Sequence, residues 1–154
     1  MSKGISKSLD HLNTQIESIL PKRDSHHGFV AIRDASGYTL DLDNMAHTNR
    51  LFELLPISMP IDDGQLGIST RKRVTLEVRV FYDTPQDRGY LDRMMIEDTS
   101  ALINTLKGPN YDSVTTGVVS LVVGAAGVDT VLDSGGEQRA LILRIPFDLL
   151  YLED

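Results

Sequence analysis

Between positions 71 and 83 the chain alternates with almost no exception. Val74, Leu76, Val78, Val80 and Tyr82 fall on one side, and Arg73, Thr75, Glu77, Arg79 and Phe81 on the other. Successive side chains of a strand point to opposite faces, so this stretch is a strand with one apolar and one largely polar face. Such a strand belongs in an antiparallel sheet covered on one side, because a parallel sheet buried on both faces reads as an unbroken apolar run. The rest of the chain must therefore supply more strands and a cover for the apolar face.

Two segments have helical period and can supply the cover. Over residues 6–20, Ile5, Leu9, Leu12, Ile16 and Ile19 recur at spacings of four and three, with Lys7, Asp10, Thr14 and Glu17 off the stripe. Ser6 or Ser8 is placed to cap this helix and Pro21 to end it. The second helix is expected over 84–107, where Thr84-Pro85-Gln86-Asp87 offers a capped start and Gly108-Pro109 a stop. Leu91, Met95, Thr99, Leu102, Ile103 and Leu106 form its apolar face, opposite Arg93, Glu97, Ser100 and Asn104.

Further strands are expected at 29–33 and 38–42 around an Ala35-Ser36-Gly37 turn, and at 51–59, where Pro56 points to a sheet edge or a bulge. Residues 60–67, with Asp62-Asp63-Gly64, read as a turn or extended loop. Later strands are expected at 113–123, 130–132 and 139–152, the last after a Gly135-Gly136 turn. The expected fold is α+β: a mainly antiparallel β-sheet with two amphipathic helices packed on one face, in a single domain over 1–154.

Composition narrows the function classes. The 154 residues include no cysteine, which excludes disulfides, thiolate metal sites and a cysteine nucleophile, and fits a reducing cytoplasm. Fifteen basic against 22 acidic residues leave a net charge of -7, which argues against a general binder of phosphate backbones. The longest apolar stretch, 117–128, is interrupted by Ser120 and glycines and is well short of the roughly 20 residues of a membrane span. The first nine residues have lysines but no apolar core, so no secretory signal and no membrane partner are expected.

Motifs for chemistry fail one by one. His26 and His27 are adjacent and point apart on an extended chain, and neither they nor His11 and His47 have the spacing of a helical zinc site. Asp41-Leu42-Asp43-Asn44 opens like a calcium loop, but Met45 and Ala46 stand where a ligand and a turn glycine are needed. Gly124-Ala125-Ala126-Gly127 lacks a following Lys-Ser/Thr pair and reads as a strand connection. No Gly-x-Ser-x-Gly occurs, and the carboxylates are scattered. No catalytic, cofactor-binding or metal residue is assigned, and no cofactor or enzymatic activity is expected. Arg71-Lys72-Arg73 is the one tight basic cluster, suited to a strand end or to a subunit contact.

The pattern resembles the tail terminator (tail-completion or neck) proteins of long-tailed bacteriophages. The likeness rests on the opening helix at 5–20, the alternating strand 73–82, the capped helix 84–107 and the closing strand 139–147. It covers nearly the whole chain as an order of elements, while the strands between Phe29 and Met59 and the one near Val131 depart from it. The resemblance implies a structural virion protein, made in the host cytoplasm and located at the tail–neck junction. It implies a homo-oligomer, a hexameric ring that ends the tail tube and meets the head connector or stopper, with DNA passing through the lumen unbound. For such a ring, the outward charges Arg73, Glu77 and Arg79 of the long strand, the basic run Arg71-Lys72-Arg73 and the Asp62-Asp63 turn are the expected subunit interface. The alternatives are a small cytoplasmic ligand-binding domain or enzyme with a pocket between sheet and helices, and a different neck component such as a head–tail stopper.

Overall fold

The computed structural model describes residues 4–19, 29–31, 50–62, 71–83, 88–107, 113–132, 135–136 and 138–153. Their elements are α1 (Gly4–Glu17), β1 (Val30–Ala31), β2 (Leu51–Pro56), β3 (Ile61–Asp62), β4 (Arg71–Asp83), α2 (Arg88–Leu106), α3 (Ser113–Thr116), β5 (Val118–Val123), β6 (Gly127–Leu132) and β7 (Gln138–Leu152). The architecture is α+β, as expected, with helices over one face of a largely antiparallel sheet.

The sheet is built on two long central strands. β4 and β7 pair antiparallel along their whole length, from Arg71 opposite Leu152 to Asp83 opposite Ala140. β2 and then β3 line the outer side of β4, while β5 and β6 line the outer side of β7. β1 adds two parallel pairs to β2, at Leu51 and Phe52. Pro56 pairs with Leu76 at the end of β2, beyond the part that β1 flanks, so its missing N–H interrupts no ladder. The chain then bulges, with the N–H groups of Ile57 and Ser58 both donating to Thr75 O, and rejoins β4 as β3. The segment expected to be a turn or loop thus begins as a strand, held in place by the long neighbour.

The alternating strand behaves as its period requires. Val74, Leu76, Val78, Val80 and Tyr82 are buried with Leu141, Leu143, Ile145, Phe147, Leu149 and Tyr151 of β7. The helices complete this core through Leu12, Ile16, Leu91, Met94, Met95, Leu102 and Leu106. Each buried side chain of this size contributes about 1.5–3 kcal/mol relative to exposure.

Both helices are turned relative to the apolar stripes read from sequence. α1 buries Gly4, Ser8, Leu12 and Ile16, while Ile5, Leu9 and Ile19 are only partly buried. Close approach explains the turn: a Cβ on Gly4 would lie 2.8 Å from Glu153 O, and one on Gly117 would lie 2.8 Å from Ser8 Oγ. Ser6 and Ser8 are consequently inside the helix and do not cap it. α2 centres its buried face on Leu91, Met94, Asp98 and Leu102, leaving Thr99 and Ile103 half-buried.

Residues 113–116 form a helical turn instead of extending the strand, because Gly117 adopts φ +78° and redirects the chain. Thr116 Oγ1 accepts the Val118 N–H at 3.1 Å as β5 begins. β6 begins at Gly127, three residues before the expected strand. The expected strand at 38–42, the Ala35-Ser36-Gly37 turn, Pro21, the Thr84–Asp87 cap and Gly108-Pro109 lie outside the described residues.

Candidate functional site

The face of the sheet away from the helices is a lattice of charges built by register. Glu53, Arg79 and Arg144 stand side by side on β2, β4 and β7. Arg79 Nε donates to Glu77 Oε1 at 2.7 Å, and Arg144 Nε lies 2.9 Å from Asp129 Oδ2 on β6. Two rows on, Thr75 Oγ1 donates to Asp148 Oδ1 at 2.6 Å. Opposite charges in neighbouring positions hold each other, so much of this face satisfies itself within one chain.

Burial pushes the Glu53 carboxyl above its ordinary value, with Arg79 pulling the other way. A group raised on folding stabilises the fold fully below its ordinary value of 4.5, and that stabilisation is lost as pH rises through its folded value. Glu53→Gln, which mimics the protonated form, should therefore raise the melting temperature at pH 7 and leave it nearly unchanged at pH 4. Thermal unfolding at both pH values checks the sign, and a lower melting temperature at pH 7 would contradict it.

The expected interface residues separate into two groups. Arg71 and Arg73 are exposed and Lys72 half-buried at the start of β4, where Ile61 lies opposite Arg73 and Asp62 opposite Lys72 of the same chain. Glu77 and Arg79 lie farther along; Glu77 is buried and paired with Arg79, which remains partly exposed. Asp63 lies outside the described residues. So do His26, His27, His47 and Asp41–Asn44. His11 is half-buried on α1, and burial lowers its pKa.

Gly124–Ala126 is a solvent-exposed break between β5 and β6. The Gly124 N–H donates to Pro146 O at 2.7 Å, and a Cβ on Gly124 would lie 3.1 Å from Pro146 Cγ. In an antiparallel strand the N–H and C=O of one residue point to the same side. The donor that Pro146 lacks would therefore face the break, which is how proline is accommodated in a central strand.

Two features escaped sequence reasoning. The first is a buried polar cluster. Arg50 Nε donates to Asp98 Oδ2 at 2.9 Å, and Nη2 reaches Oδ1 at 3.3 Å, with the side chains 0% and 3% exposed. Tyr82 Oη donates to the same Asp98 Oδ2 at 2.7 Å. Burial and the adjacent Asp98 push the Tyr82 phenol well above its ordinary range, keeping it a donor. Arg50 also lies over the Phe29 ring, 6.0 Å from its centroid, and its backbone takes φ +67° while its N–H donates to Phe81 O. The cluster is sealed from solvent, so it fixes the entry to β2 against α2.

The second feature is exposed apolar surface. Ile57, Met59, Ile61, Ile96, Val122 and Val128 are between 46% and 73% exposed. Ile96 and Val128 belong to an open groove of about 470 Å³ between α2 and β6, lined also by Asp92, Met95, Thr99, Ala126, Gly127 and Leu143. The available signal was the alternation Ile57-x-Met59-x-Ile61 between Pro56 and the acidic turn, which reads as core without the strand order.

Comparison with models of known protein families and with curated proteins finds no match for this chain. Among the described residues no three His, Cys, Asp or Glu side chains cluster as a metal site, and no helix is long and apolar enough to cross a membrane.

Proposed function

We propose that this protein is a structural ring protein of a phage tail–neck junction, of the tail terminator kind, which ends the tail tube and meets the head connector or stopper. One observation carries the reading: exposed large hydrophobic side chains lie at the β2–β3 edge and, on the other side, on β5, β6 and α2, around a sheet whose open face carries paired charges. Exposed apolar groups concentrated in this way mark surfaces that another protein covers. The order of elements, a helix, strands, a second helix and closing strands, supports the same reading through the resemblance. A net charge of -7 suits a lumen through which DNA must slide without being gripped.

The groove beside α2 favours a second reading, a small-ligand site. Its lining has few polar groups to orient a ligand, Asp92 and Thr99 among them, and it is open to solvent. Tail tubes purified without their terminator, mixed with this protein and imaged by electron microscopy, separate the two. Rings of six copies at one end of each tube are expected. Tubes left bare, with a small apolar ligand bound instead, would replace the terminator reading by the ligand-binding one.

A further inference from the structure

Strand β2 sits in a single register that its own side chains do not select. Phe52 and Leu54 face the core opposite Val80 and Val78, while Leu51, Glu53 and Leu55 alternate to the other face. A slip of one residue is excluded, because it would turn Glu53 inward and Phe52 out. A slip of two keeps every face. Phe52 and Leu54 would then stand opposite Val78 and Leu76, or opposite Tyr82 and Val80, all of them core side chains of β4. On the outer face Glu53 opposite Arg79 favours the observed register, but Arg79 Nε is already given to Glu77. A bulge at Ile57 and Ser58 separates β2 from β3, so the pairing of β3 does not set the position of β2.

The buried cluster supplies what the pattern lacks. Arg50 leads directly into β2, whereas its partners Asp98 and Tyr82 belong to α2 and β4. The Phe29 ring stands edge-on to Phe52 at 6.3 Å and lies beneath the Arg50 guanidinium. The Arg50 N–H donates to Phe81 O, and Leu51 also faces Phe81, so two residues oppose one in a bulge. The first position of a bulge with this left-handed backbone suits glycine, yet here it is an arginine at φ +67°. An unfavourable backbone is kept together with a fully buried charge. A two-residue slip would carry Arg50 about 7 Å along β4. Its 2.9 Å contact with Asp98 would break and leave two buried charges apart.

We infer that the Arg50–Asp98–Tyr82 cluster is a register lock. It holds β2 at one position along β4 and excludes the two alternatives that the apolar pattern tolerates. Its role is selectivity between pairings of similar burial, apart from any stability it adds. Apolar replacements that restore stability should therefore not restore the single register.

Two-dimensional NMR of the double variant Arg50→Met with Asp98→Leu tests it. The wild type should give one amide resonance for each residue of β2, with backbone contacts between Leu54 and Val78. The double variant should keep the far-UV circular dichroism but show at least two sets of resonances over 51–56. Its added set should carry backbone contacts of Leu54 to Leu76 or to Val80, while β7 keeps one set. Adding Leu55→Lys should bring back a single set. A lysine at 55 faces Glu77 in the observed register, whereas one slip sets it against Arg79 and the other sets Glu53 against Glu77. A double variant with one set and the wild-type contacts would overturn the lock. So would doubled resonances that Leu55→Lys leaves unchanged, or a double variant that does not fold, since the cluster would then be holding the fold and not its register.

Discussion

Asp98→Ala should destabilise the fold by about 3–5 kcal/mol, the cost of removing one member of a buried ion pair. The Arg50 guanidinium, fully buried, would lose both of its contacts to Asp98, and the Tyr82 hydroxyl would lose its acceptor. For a chain of this size the loss corresponds to a drop in melting temperature of about 10 °C. Replacing both charges, Arg50→Met with Asp98→Leu, should recover most of it, because buried ion pairs exchanged for packed apolar groups of similar volume are often neutral in stability. Tyr82→Phe on its own should cost less, about 2 kcal/mol, since it removes one hydrogen bond to a charged acceptor. Urea unfolding of the wild type and the three variants measures these differences. A double variant no more stable than Asp98→Ala would show that the cluster does more than satisfy its own charges.

Leu102→Ala should cost about 3 kcal/mol and its neighbour Ile103→Ala about a third of that. Both lie on the apolar stripe of α2, but Leu102 is fully buried in the core and Ile103 packs half-exposed at its margin. The contrast measures how the helix is rotated about its axis. Equal losses at the two positions would mean that the helix presents the face read from the sequence, centred between them.

That rotation marks the boundary of what the sequence discloses. The long strand is legible to its ends, 71 and 83, because a period of two over so many residues leaves one solution and β7 pairs with it throughout. The one-sided cover follows from the polar alternate positions, Arg73, Thr75 and Arg79. The α2 stripe misleads because its centre is an aspartate, and nothing local shows that Asp98 meets Arg50, 48 residues earlier. The α1 stripe misleads for the opposite reason: Gly4 and Ser8 look like gaps, but their small size lets the helix reach Glu153 and Gly117. That Asp62 of the acidic turn stands opposite Lys72 of the basic run within one chain follows from strand pairing, which no local pattern shows. The exposed apolar side chains at the β2–β3 edge and the groove depend on strand order and on which edge stays uncovered, and both are properties of the assembled sheet.

Pro146 carries a consequence beyond its own accommodation. Its carbonyl is taken by Gly124, and its donorless nitrogen faces the gap where β5 gives way to β6. If either outer strand slid two residues along β7, a paired residue would lie against that nitrogen and its carbonyl would lose a partner. An orphaned buried acceptor costs about 1–3 kcal/mol. Sliding by one residue would instead turn Val128 and Asp129 inside out. The proline thus works as an alignment peg: the gap can stand at only one place along the strand. Because the groove is bordered by Ala126 and Gly127 of that same gap, the peg also sets where along the sheet the groove opens.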